Sequence, residues 1–174
     1  SELQQLEAFF ERKAEDAVGG KKEYQIENPT ETFHSFFVNM NNKMMLNQEL
    51  IKEYDVETLS VRLKDLLRKE YRKVANTDKK LISGLFVRYD RGSSSTAITS
   101  YLRTIKEAYL QVRGEISKEL GGVSEARLDS LLPIFVSFGE PKVYSSKYKT
   151  ASDIFLPIEV SLYPRGGISS VIKN

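Results

Sequence analysis

The apolar residues of this chain keep a helical period almost to residue 132 and then change to strict alternation, which limits the fold more than any other feature. Before the change, Leu3, Leu6, Phe9, Phe10, Ala14 and Ala17 trace one face of a helix, and later segments do the same. After it, Ile154, Leu156, Ile158, Val160 and Leu162 alternate as in a half-buried strand. The expected class is α+β: a mainly helical body of about six helices over 2–132, followed by a small antiparallel β-sheet over 134–172. At 174 residues the chain fits a single domain, 1–174, with a helical part, 1–132, and a β part, 133–174.

Caps and breakers divide the helical part. Gly19-Gly20 stops a first helix, 2–18. Asn28-Pro29-Thr30-Glu31 reads as the start of a second, running to about Leu46 and burying Phe33, Phe36, Phe37, Met40 and Met44. A short helix, 48–54, leads to Asp55, which caps a long helix over 56–75 with Leu59, Leu63, Leu66, Leu67, Tyr71 and Val74 on its apolar face. Segment 78–90 has helical spacing, although Gly84 and the run Leu85-Phe86-Val87 also suit a strand. The most regular helix, about 95–120, follows the loop and cap Gly92-Ser93-Ser94-Ser95 and ends at Gly121-Gly122. Ser124 caps a last short helix, which Pro133 forces to end near Leu132. Strands are expected at 134–138, 142–148, 154–162 and 168–172, with Pro157 pointing to an edge position or a bulge.

Catalytic classes fall away by composition. There is no cysteine, so thiol nucleophiles, disulfides and cysteine-rich zinc sites are excluded together. His34 is the only histidine. Glu31-x-x-His34 has the spacing of two ligands on one helical face, but di-iron sites need that motif twice. Glu31 therefore reads as a capping-box residue and His34 as a half-exposed helix residue. Nucleophile-elbow, Walker and dinucleotide-binding glycine motifs are all missing. The chain is expected to be no enzyme, with no cofactor and no metal.

Charge points to binding instead. Residues 1–58 carry 12 acidic and 6 basic side chains, whereas 59–91 carry 10 basic and 4 acidic. Segregation of this kind speaks of partners rather than of fold. Three basic groups are candidates for contact with nucleic acid. The exposed face of helix 56–75 presents Arg62, Lys64, Arg68, Lys69, Arg72 and Lys73, which could track a phosphate backbone. Arg88 and Arg91 flank a helix start at Ser94 and Ser95, where free backbone N–H groups could hold a phosphate. Lys142, Lys147 and Lys149 interleave with Tyr144 and Tyr148 on an expected strand.

Two functions follow. One is a non-catalytic nucleic-acid-binding protein, DNA or RNA, using the basic amphipathic helix and the helix-start phosphate site. The alternative is a structural or assembly subunit of a viral, phage or other oligomer, in which the acidic N-terminal region of one copy, or of a partner protein, meets the basic central region of another. No apolar run approaches the ~20 residues of a membrane span. The expectation is a soluble protein without a membrane partner, intracellular or part of a particle.

Overall fold

The computed structural model describes residues 1–17, 33–77 and 83–139. In chain order the elements are α1 (Glu2–Ala17), β1 (Phe33–Val38), β2 (Met44–Leu46), β3 (Glu49–Ile51), α2 (Val56–Val74), β4 (Gly84–Tyr89), α3 (Ser95–Glu119), α4 (Glu125–Leu131) and β5 (Val136–Phe138). The five strands form one sheet in the order β3-β2-β1-β4-β5. β1, β4 and β5 run parallel, joined through α2 and then through α3 and α4, while β1, β2 and β3 pair antiparallel as consecutive hairpins.

This corrects the expected architecture. Among the described residues there are four helices and a mixed five-stranded sheet, not about six helices before an antiparallel sheet. The expected helix to Leu46 is β1 and β2, and the expected helix at 48–54 is β3 and a turn. Phe33, Phe36 and Phe37 are spaced for one helical face, but in β1 they serve two sides of a strand. Phe36 and Val38 enter the main core, and Phe33 and Phe37 lie on the opposite face. Apolar residues fall on both faces of β1 without strict alternation, so their spacing imitates a helix. Segment 84–89 takes the strand alternative. The strand expected at 134–138 is present as Val136–Phe138, paired parallel to β4. The segments 142–148, 154–162 and 168–172 lie outside the described residues.

Asparagines set the hairpins. Asn39 Oδ1 accepts from the backbone N–H groups of Asn41 and Lys43, and Asn42 is left-handed at φ 63°. Asn47 and Gln48, both at positive φ, make the two-residue turn between β2 and β3, the kind whose twist matches antiparallel strands. The three later caps fare as read: Asp55, Ser94 and Ser124 each accept from the backbone three residues on, capping α2, α3 and α4.

One core joins all four helices to one face of the sheet, represented by Phe36, Val38, Met44, Leu46, Ile51, Leu85, Val87 and Val136. On the other face Phe33 packs with Phe86 and Phe135 as a separate aromatic group. α3 lies centrally, against α2 on one side and α1 on the other. α2 reaches the β3 edge, where Arg62 meets Glu49 at 3.5 Å, and α1 lies at the β5 edge. Arg113, 2% exposed, ties α3 to α4 by donating to the Leu132 carbonyl at 2.7 Å and to Glu125 and Asp129. Lys13 of α1 joins the same carboxylates, so its bond, together with Arg113, holds the Glu125 carboxyl below the usual range.

Candidate functional site

The basic side chains of α2 divide into two sets. Lys64 and Arg68 lie along the seam with α3: Lys64 donates to Gln111 at 3.2 Å, and Arg68 makes a two-pronged pair with Glu115, 2.9 Å on each arm. That pair holds the Glu115 carboxyl low and the Arg68 guanidinium high. Arg62, Lys69, Arg72 and Lys73 face outward. Arg62 reaches Glu49, and Lys73 donates to Glu70 at 2.9 Å. Lys69 and Arg72 are exposed and make no ion pair with any described residue. Exposed ion pairs are worth less than about 1 kcal/mol, so that of Arg62 with Glu49 yields readily to a partner, whereas Lys73 is tied to the buried Glu70.

The helix start is built differently from an open phosphate cradle. Gly92 N–H donates to Asp90 Oδ1, Ser93 N–H to the Asp90 carbonyl, Ser94 N–H to Asn42 Oδ1, and Ala97 N–H to Ser94 Oγ. Ser95 is exposed and its carbonyl accepts from Thr99 Oγ1. Arg91 is exposed beside this loop, and Arg88 sits on the sheet face away from the helices. Lys142, Lys147 and Lys149 lie outside the described residues.

His34 is in β1, not on a helix. Asn47 is oriented by Ser35 N–H, which donates to its Oδ1 at 2.9 Å. Its amide NH2 therefore faces His34 Nδ1 at 2.8 Å, which leaves Nε2 to donate to Glu70 at 3.4 Å. Glu70 is a buried carboxylate: burial alone would raise it, but the bonds from His34 and Lys73 outweigh that and hold it low. Among the described residues no group of three or more His, Cys, Asp or Glu side chains could hold a metal. The trio is accounted for as a tie between β1, the β2–β3 turn and α2.

Two placements in space went unread in the sequence. α1 carries five acidic against two basic residues, and α2 six basic against three acidic, so the opposite edges of the sheet carry opposite charge. On α1, Glu11 and Glu15 are exposed and make no ion pair with a described residue. The second feature is a corner at the carboxyl ends of β1 and β4, where Met40 is 61% and Tyr54 55% exposed. Met40 was expected in a core; its place in an asparagine-rich turn puts it at the surface. The asparagines at 39, 41 and 42 were the available signal for that turn.

No described helix is long and apolar enough to cross a membrane. No protein-family model matches the chain, and no curated protein matches it.

Proposed function

We propose that this protein is a non-catalytic assembly subunit in which the acidic α1 flank of one copy meets the basic α2 flank of the next. The observation that supports this reading best is the position of the two helices at opposite edges of one sheet, with α3 between them. Charges so placed do not neutralise each other within a molecule, whereas a head-to-tail contact brings them together. The side chains that make no ion pair with a described residue fit: Lys69 and Arg72 on one flank, Glu11 and Glu15 on the other. Sedimentation across a concentration series tests it. At low salt the mean mass should rise with concentration, and the association should weaken steeply toward ~1 M salt, where screening acts within about 3 Å. A monomer at high concentration and low salt refutes the reading.

Nucleic-acid binding by the same outward face is the second reading, supported by Lys69 and Arg72, which pair with no described residue, beside Arg62 and Lys73. If these four cations each neutralise one phosphate of a duplex, log affinity should fall against log salt with a slope of about −3.6. A flat salt dependence on duplex DNA removes that reading and leaves assembly untouched.

A further inference from the structure

We infer that the alternating segment 154–162 lies extended over the second face of the sheet and closes it, so that this face is open neither to another copy nor to a nucleic acid. The inference is independent of the assembly reading. All four described helices pack on the first face, yet on the second Phe86 is only 2% exposed and Phe33 and Phe135 are buried. These rings do not bury one another to that depth. Side chains stand roughly upright on a sheet, so neighbours shield the flanks of a ring and leave its outer end bare. Across the strands Phe86 is flanked by Ser35 of β1 and Ser137 of β5, whose short side chains shield little. Phe33 and Phe135 meet over Gly84, where a Cβ would stand 2.5 and 2.6 Å from their rings. A further layer has to lie above them, and parallel strands such as β1, β4 and β5 are found with both faces covered.

The cover has a definite extent. Phe37 and Arg88 stand side by side toward the carboxyl ends of β1 and β4, and neither they nor the three buried rings are without a partner. Leu50 of β3 shares this face through Met45 and Phe37 but is 60% exposed, so the cover stops short of the β3 edge. Three stretches of chain lie outside the described residues: 18–32, 78–82 and 140–174. The shortest has to bridge α2 to β4. The first offers Val18, Tyr24 and Ile26 among five charged side chains. The last leaves β5 through Gly139, left-handed at φ 76°, and carries Ile154, Leu156, Ile158, Val160 and Leu162 at the period that puts them on one side of an extended chain. At ~3.3 Å per residue the nine positions 154–162 span roughly 30 Å, longer than the six-residue strands β1 and β4 they would cover. Pro157 lacks the N–H that a strand ladder needs, which suits a segment held by its side chains.

The chain has no cysteine, so pairs of introduced thiols report directly on what covers the rings. Ser35→Cys in the full chain, beside Phe86, is combined in turn with Leu156→Cys, Ile158→Cys and Val160→Cys, and with Glu159→Cys as the outward-facing control. Ser137→Cys repeats the series from the other flank of Phe86, in case Ser35→Cys disturbs the fold. Under oxidised glutathione, at least one of the three apolar positions should form an intramolecular disulfide at least about tenfold faster than position 159, because a bridge needs the two Cα atoms within roughly 7 Å. Non-reducing electrophoresis and peptide mass read the bond. Equal rates at 159 and the apolar positions, or no bond within the molecule at any of them, overturn the inference. So does a bond formed only with Ile26→Cys, which assigns the cover to 18–32, or only between molecules, which assigns it to a second copy. Salt-dependent association along the helical flanks is untouched by any of these results, so the two readings fail separately.

Discussion

Replacing Tyr101 by phenylalanine isolates one oxygen atom on which three loops depend. The ring is 0% exposed and packs edge-on to Phe36 at 6.3 Å, and phenylalanine keeps that contact. The hydroxyl loses two bonds: the short one to the Asn42 carbonyl, 2.6 Å, and the one from Tyr54 N–H, 3.0 Å. Each such bond contributes roughly 0.5–1.5 kcal/mol net, and leaving a shielded partner unpaired costs about 1–3 kcal/mol. Water reaches exposed Tyr54 more easily than Asn42, so the sum should fall at about 1–3 kcal/mol rather than at twice that. For a chain of this size that lowers the melting temperature by roughly 2–12 °C. Urea unfolding is the assay, and the midpoint should fall while the slope stays unchanged. A loss below about 0.5 kcal/mol would show that the hydroxyl is not what holds Tyr54 left-handed.

Gly114, in the middle of α3, has nothing within 4 Å of an added Cβ, so Gly114→Ala should raise stability by about 0.5–1 kcal/mol in urea unfolding. Gly84→Ala should do the reverse, by roughly 1–3 kcal/mol, because its Cβ would stand 2.5 Å from the Phe33 ring and 2.6 Å from that of Phe135. The Glu70 carboxyl is held low, so its contribution is present above the unfolded value of about 4.3 and is lost as pH falls through the folded value. Glu70→Gln should therefore be less stable than wild type at pH 7, with a gap that narrows below about pH 4; thermal melts between pH 3 and 7, with a constant gap as the contrary result, check this.

The helices were legible where their signals are local. Asp55, Ser94 and Ser124 cap within three residues, and the apolar stripes of α2 and α3 run long enough to exclude a strand. The sheet was not, because β1 is apolar on both sides and its phenylalanines fit either period. Asn47-Gln48 and the asparagines after Val38 carried the hairpin signal, but only when read as turns rather than as the polar face of a helix. Charge was legible as a segregation along the chain. Its meaning in space was not, since the pairing of Arg68 with Glu115 and the placing of α1 and α2 at opposite edges depend on the strand order. Nothing local in the sequence marks Tyr54 as left-handed; the hydroxyl its N–H bonds belongs to Tyr101, 47 residues away.

The measurement that tests the central claim most directly is sedimentation of two charge-reversed copies, Glu11→Lys/Glu15→Lys and Lys69→Glu/Arg72→Glu. Each copy keeps one native flank and should self-associate more weakly than wild type at low salt. Mixed, opposite charges meet at both contacts, the first copy's native α2 flank with the second copy's native α1 flank and the two reversed flanks with each other, so the copies should assemble together in alternation to masses that neither reaches alone. Self-association of either variant at wild-type strength, or a mixture that sediments as two monomers, would contradict the account.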